Sequence, residues 1–199
     1  MRVIGITGPS GSGKTQLTES ISSLGIKAIN ADELYHSMLI PPSKCLDAIR
    51  FEFGDSVFKN DGSLDRNALS SIVFNDKQKL ELLNKTVLCI VVERIRDIIK
   101  SLEQCGEKAV VIDAPTLIES GFYKECDTVI SVLSSESERS KRISMRDNIS
   151  EEKAIERIRA QKDDSFYISN SHIVIYNNGT QEEFSSNIRE IIDKLHLFS

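Results

Sequence analysis

The residues that most directly suggest chemistry stand near the start of the chain, where Gly8-Pro9-Ser10-Gly11-Ser12-Gly13-Lys14-Thr15 fits the spacing GxxxxGK[ST]. Glycines at such positions let a backbone turn tightly and aim its N–H groups into one concavity, and a helix starting there adds its positive dipole end. Lys14 would bring a point charge to the outer phosphates of a nucleotide, and the Thr15 hydroxyl a hard oxygen for Mg²⁺. Both flanks agree, since Arg2–Thr7 reads as an apolar strand and Lys14 to Leu24 is compatible with a helix. Gly8, Ser10, Gly11, Ser12, Gly13, Lys14 and Thr15 are therefore the expected nucleotide-binding residues. The alternative is a glycine-rich turn that binds nothing, and agreement of the fixed positions with both flanks weighs against it.

A nucleotide loop alone leaves kinase, GTPase and ATPase motor open. No Asn-Lys-x-Asp segment is present to read guanine; Asn84-Lys85-Thr86-Val87 and Asn75-Asp76-Lys77 lack that order, which disfavours a switch GTPase. Asp32 follows the second expected strand in Ile29-Asn30-Ala31-Asp32, at the carboxyl end where ligands gather in open α/β sheets. A carboxylate there can accept the proton of an attacking hydroxyl, or simply cap a helix over Glu33–Leu39. Asp113 ends the apolar run Val110-Val111-Ile112, so it suits a Mg²⁺ ligand, direct or through water, or a strand-end turn with Ala114-Pro115. From Glu138 to Arg146 the basic residues Arg139, Lys141, Arg142 and Arg146 outnumber the acid. Arg142 and Arg146, four apart, share a helix face that could clamp transferring phosphates or stack on a base. The plainer reading of such a run is a solvated face.

These groups need a scaffold that holds them at one end of a sheet. Segments at Arg2–Thr7, Ile26–Asn30, Ala109–Asp113, Thr128–Leu133 and Ile173–Tyr176 are short, rich in Val and Ile, and mostly apolar throughout, the pattern of parallel strands buried on both faces. Helix starts are legible at Ser135-x-x-Glu138 and Thr180-x-x-Glu183, with a looser version at Asn75-x-x-Gln78. Strands alternating with helices predict an α/β fold: a five-stranded parallel sheet between helical layers. The second and third strands are separated by a long interval with only helical periodicity, which predicts a helical insertion over 31–107 in a single domain. The core then comprises 1–30 and 108–199.

Composition bounds the rest. The 199 residues are 40% hydrophobic, enough for one sizeable core, and a formal charge of −5 argues against nonspecific nucleic-acid binding or an anionic-membrane surface. The four cysteines form no CxxC pair and have no zinc-ligand spacing. The opening apolar stretch is too short for a signal peptide, and the longest apolar run, Val87 to Val92, is far below the roughly 20 residues needed to span a bilayer. A cytoplasmic location is the default expectation.

Taken together, the motifs resemble the dephospho-coenzyme A kinase family nearly end to end. The resemblance rests on Gly5-Ile6-Thr7-Gly8 running into Gly11–Thr15, Ala31-Asp32, Phe53-Gly54, Asp61-Gly62-Ser63-Leu64-Asp65-Arg66 and Val73-Phe74. It continues through Asp113-Ala114-Pro115-Thr116-Leu117-Ile118-Glu119-Ser120-Gly121, Cys126-Asp127, Arg142 with Arg146, Gln161, and Val174-Ile175 before Asn177-Asn178-Gly179. It implies a P-loop kinase fold that phosphorylates the ribose 3′-hydroxyl of dephospho-CoA with ATP and Mg²⁺. It further implies Asp32 as the base and Arg66 as an acceptor ligand from the helical insertion. Arg142 and Arg146 would belong to a lid over about 138–162, with Asn177 and Gly179 beside the adenine. Asp113, Pro115 and Leu117 are expected to face substrate, and Thr15 and Asp113 to hold the metal. Three positions depart from the family pattern: Asn30 replaces an Asp, Lys85-Thr86 a His-Pro pair, and Ser171-His172 an Ala-Asp pair. They mark a divergent member. A kinase of the same fold for another small metabolite, or a catalytically decayed nucleotide-binding module, remain the rival readings.

Overall fold

Short apolar strands alternating with helices build a five-stranded parallel sheet in the computed structural model, which describes residues 1–195. The strands are β1 (Arg2–Thr7), β2 (Lys27–Asn30), β3 (Ala109–Asp113), β4 (Thr128–Leu133) and β5 (Ile173–Tyr176), in the order β2-β3-β1-β4-β5. Central β1 pairs with β3 and β4, so that Ile4 lies opposite Val111 on one side and Thr128 on the other. Continuous burial holds for the central strands: every residue of β3 and β4 is buried, and every residue of β1 after Arg2. The edges differ. Lys27 and Ala28 of β2 and Tyr176 of β5 are exposed, because an edge strand has a neighbour on one side only. Strand β2 also begins one residue later than its apolar pattern suggests.

The helices are α1 (Lys14–Ser22), α2 (Ala31–Ser37), α3 (Lys44–Phe53), α4 (Arg66–Val73), α5 (Lys77–Gln104), α6 (Glu136–Asp147), α7 (Glu151–Arg159), α8 (Asp164–Ser169) and α9 (Gln181–Leu195). Thr180 and Glu183 close a reciprocal capping box: Thr180 N–H donates to Glu183 Oε2 at 2.8 Å and Glu183 N–H to Thr180 Oγ1 at 3.2 Å. Ser135 accepts from Glu138 N–H at 3.3 Å. The start of α5 is corrected by one residue. Asp76, not Asn75, caps it, accepting from Gln78 and Lys79 N–H, while Asn75 bonds back to the Ser71 carbonyl.

The chain divides into two compact units, one of Met1–Ile29 with the chain from Gly106 onward, the other of Asn30–Cys105. In the first, Ile4, Ile6, Val111, Ile130 and Val132 of the sheet pack with Leu17 and Ile21 of α1 and with Phe184, Ile188 and Ile191 of α9. A smaller cluster of Ile143, Ala154 and Ile158 binds α6 to α7. In the second, Cys45, Ile49, Val57, Leu69 and Val73 form the centre. That unit is not purely helical: an antiparallel bridge joins Phe58 to Leu64 around a turn in which Ser63 N–H and Oγ both donate to Asp61 Oδ1.

Burial sorts the thiols. Cys45 and Cys126 are buried and Cys89 and Cys105 exposed; burial disfavours the thiolate, raising Cys45 and pushing Cys126 up to about 12. Titration of the native protein with a thiol reagent at pH 8 is expected to modify Cys89 and Cys105 rapidly, and Cys45 and Cys126 only after denaturation, as peptide mass mapping would show.

Candidate active site

The turn after β1 is held open by side chains that bind its carbonyls. Lys14 Nζ donates to the Gly8 carbonyl at 2.8 Å and the Pro9 carbonyl at 3.0 Å. Arg139 Nε donates to the Ser10 carbonyl at 2.9 Å, Arg142 Nη1 to the Gly11 carbonyl at 3.3 Å, and Asn177 Nδ2 to the Ser12 carbonyl at 2.9 Å. Every carbonyl from Gly8 to Ser12 thus has a side-chain donor. In a trans peptide the N–H lies opposite the C=O, so holding the carbonyls of Ser10 and Ser12 turns the Gly11 and Gly13 N–H groups the other way. At its end α1 starts at Gly13 with no side-chain cap, whereas α2 to α8 each have one. The uncapped first turn leaves N–H donors and the helix dipole to face an anion.

Gly8 and Gly13 cannot be replaced without loss. Gly8 has φ +138° and a Cβ there would lie 2.2 Å from the Val132 carbonyl oxygen, so the loop rests directly on the β4 backbone. Gly13 has φ +106° and its Cβ would meet Asn177 Nδ2 at 2.3 Å. The sheet order explains the approach. The connection from β1 leads towards β2 on one side and that from β4 to β5 on the other, leaving a crevice at the carboxyl ends of β1 and β4.

Around this loop the remaining expected residues of the first unit take distinct positions. Thr15 is exposed on the first turn of α1. Asp113 is 6% exposed at the end of β3, and its Oδ2 accepts from Thr18 Oγ1 at 2.9 Å. Arg142, half-buried, also donates to Ser134 Oγ at 3.3 Å and to the Asn177 carbonyl at 3.1 Å. Arg146 is exposed and donates to Ser10 Oγ at 3.4 Å. Its bond with Asp147, aided by the charges of Arg146 and Arg157, holds that carboxyl below the usual range. Asn177 is buried, bracing the loop from the end of β5, and Gly179 lies against Glu183, whose Oε2 would be 1.9 Å from an added Cβ. Pro115 is half-buried and its carbonyl accepts from Thr7 Oγ1. Leu117 is 1% exposed and packs on Gly5, so its side chain supports β1 and offers no open surface. His172 is a strand-edge residue, its Nδ1 accepting from Val129 N–H at 2.9 Å.

In the second unit Asn30 takes the capping place that Asp32 might have held. Its Oδ1 accepts from the Asp32 N–H at 3.0 Å and the Glu33 N–H at 3.2 Å, leaving the Asp32 side chain exposed on the first turn of α2. Arg66 opens α4 directly after its cap Asp65. It lines a cavity of about 220 Å³ with Tyr35, His36, Leu39, Leu69 and Leu83. Lys85 and Thr86 lie within α5.

Three side chains that motif spacing did not single out for roles at the loop emerge there. Thr18 positions Asp113. Arg139, read from sequence as one charge of a solvated run, is 5% exposed and holds Ser10, as does Gln161, which accepts from the Ser10 N–H at 3.2 Å. A signal existed for Arg139, since it stands four residues before Ile143 and so shares the inward face of α6.

Known proteins match this chain over nearly its whole length. The family model described as Dephospho-CoA kinase matches residues 2–183. The dephospho-CoA kinase of Dehalococcoides mccartyi is 34% identical over 186 residues, covering 94% of this chain and 93% of its own. The structure of dephospho-CoA kinase from Campylobacter jejuni superposes with a TM-score of 0.71 at 26% identity, covering 98% of each chain. A shikimate kinase from Acinetobacter baumannii, at 16% identity and a TM-score of 0.56 over 98% of this chain and 94% of its own, shares the fold.

The two kinds of glycine constraint separate in a stability measurement. Gly8→Ala meets both a left-handed φ and a backbone oxygen, and is expected to cost on the order of 3 kcal/mol or more. Gly62→Ala, at φ +81° with nothing within 4 Å of its Cβ, should cost about 1 kcal/mol. Urea denaturation of both variants checks the difference.

Proposed function

The chain belongs to the dephospho-CoA kinase family, and we propose how its own residues share the transfer of the ATP γ-phosphoryl group to the ribose 3′-hydroxyl of dephospho-CoA. The observation that carries the assignment is the loop with all its carbonyls from Gly8 to Ser12 bound from outside. Such a loop offers N–H donors to the β- and γ-phosphates with no reorganisation on binding. Lys14 adds a point charge at the same mouth. Arg142 and Arg146, one turn apart on α6, are the cations that neutralise charge spreading over the phosphoryl oxygens. Residues of α6 and α7, about 138–162, act as the lid that keeps water from the reacting phosphate.

The chemistry of the donors fits Mg²⁺. Asp113 is a buried carboxylate at a strand end, and Thr15 an exposed hydroxyl at the loop's end, hard oxygens of the kind this ion takes beside nucleotide phosphates. When bound, Mg²⁺ would neutralise phosphate charge and orient the γ-phosphoryl group. Thr18, donating to Asp113, fixes the carboxylate's rotamer.

On the acceptor side Asp32 receives the proton of the ribose 3′-hydroxyl as that oxygen attacks the γ-phosphorus. The new O–P bond forms while the bond from the γ-phosphorus to the β–γ bridging oxygen breaks, and ADP leaves with the electron pair. Exposure on the first turn of α2 suits Asp32 to this role, because its carboxylate is open to an approaching hydroxyl. Arg66, beside the cavity walled by Tyr35, Leu39 and Leu69, is the cation for the acceptor's own phosphates. A cytoplasmic location suits four free cysteines, and no described helix is long and apolar enough to cross a membrane.

ADP release measured with purified protein, ATP and Mg²⁺ should rise at least tenfold, in rough terms, when dephospho-CoA is added; equal rates with and without it would overturn the substrate assignment. Asp32→Asn is expected to lower kcat by roughly 10²–10⁴-fold with the KM for ATP little changed. Near wild-type turnover in a folded variant would remove Asp32 as the base. Chelating the divalent cation with EDTA should stop the reaction.

A further inference from the structure

Ser10 is gripped at both of its backbone polar groups, which belong to two successive peptides. Arg139 Nε donates to its carbonyl at 2.9 Å, and Gln161 Oε1 accepts from its N–H at 3.2 Å. Arg139 Nη2 donates to the same Gln161 oxygen at 2.5 Å, so the three residues close a ring across 129 positions of sequence on one side and 151 on the other. We propose that Arg139 and Gln161 are positioning residues for ATP, which fix the two peptides flanking Ser10, so that the Gly11 N–H keeps its phosphate-accepting orientation, and tie them to the end of α7. The inference rests on the ATP-dependent kinase reading and adds two residues to its machinery.

Two physical facts support a role beyond packing. First, Arg139 is 5% exposed and no carboxylate pairs with it among the described residues. Burial works against its charged form. Asp164 on α8, then Tyr167, then Glu136 of its own helix, act against the burial and offset it only in part. A guanidinium stays charged under such conditions. A polyphosphate seated in the loop would bring negative charge next to a cation that the protein leaves under-compensated, so burial of Arg139 and binding of ATP favour each other. Second, Gln161 follows Ala160, the C-cap of α7. Its own N–H donates to the Ile158 carbonyl, and Ile158 packs with Ile143 of α6. A shift of the α6–α7 pair therefore changes the grip on Ser10, linking lid position to the orientation of the loop.

Substitution separates positioning from mere support. Gln161 is exposed, so Gln161→Leu removes both of its bonds at little risk to the core; Arg139→Met keeps apolar bulk and removes charge and fork. In calorimetric titration with Mg²⁺-ATP and no acceptor, each variant should bind ATP about tenfold more weakly than wild type. The double variant should be little worse than Arg139→Met alone, because the two hold one residue and bond each other. In steady state the KM for ATP should rise while the KM for dephospho-CoA stays within about twofold, and Arg139→Lys should recover part of the ATP affinity by restoring charge. ATP affinity within about twofold of wild type in folded Gln161→Leu would overturn the proposal, and this variant decides alone if Arg139→Met does not fold. Equal losses for ATP and acceptor would also overturn it. Failure of the wild-type protein to bind ATP would instead sink the kinase reading, and the clamp with it.

Discussion

The orientation of five successive peptides, from Gly8 to Ser12, is the constraint on which the first unit's architecture depends. A short loop that points its N–H groups at an anion must point its carbonyls into the protein, and a buried carbonyl without a donor is costly. The donors come from α1 (Lys14), α6 (Arg139 and Arg142) and the segment after β5 (Asn177). These elements are far apart in sequence, and the sheet order brings them to the loop because β4 lies beside β1 and β5 beside β4. The cations therefore have two tasks. They satisfy the loop's carbonyls, and they raise the positive potential at the place where the carbonyls are not.

Close packing under the loop follows from the same demand. Gly8 rests on the Val132 carbonyl, Gly11 on the backbone of Arg139, and Gly13 on Asn177. At Gly8 and Gly13 the contact leaves no space for a methyl group, so these two are required for approach as well as for conformation, whereas at Gly11 a Cβ would be tight, 3.0 Å from the Arg139 carbonyl oxygen. Further along the sheet Gly5 lets Leu117 pack against β1 in the same way. An acidic chain of net charge −5 can still host polyphosphate, because Lys14, Arg139, Arg142 and Arg146 are gathered at one loop.

What the sequence makes legible is local. The spacing of the glycine loop, the apolar central strands and the Thr180–Glu183 box are each set by residues within a few positions of one another, and each stands in the structure as expected. Legibility fails where a residue's task lies at long range. Arg139 reads as a solvated charge until Ser10, 129 residues away, is seen to need its donor. Asn177 is buried and holds Ser12 from 165 residues away, a task no spacing near it announces. Leu117 packs on Gly5 of β1, far away in sequence, which its own segment does not announce. Asn75 and Asp76 both suit a cap, and only the register of α5 decides for Asp76. The Asn30 departure also gains a reason, since its amide oxygen caps α2 and leaves the Asp32 side chain for other work.

Phosphoryl transfer to one hydroxyl of one acceptor is the central claim. Its most direct test is the position of the phosphate in the product, read by phosphorus NMR and mass spectrometry after incubating the protein with ATP, Mg²⁺ and dephospho-CoA. A single new phosphomonoester on the ribose 3′-oxygen, formed one for one with ADP, is expected. ADP with inorganic phosphate and unchanged dephospho-CoA, or a phosphate on another oxygen, would contradict it.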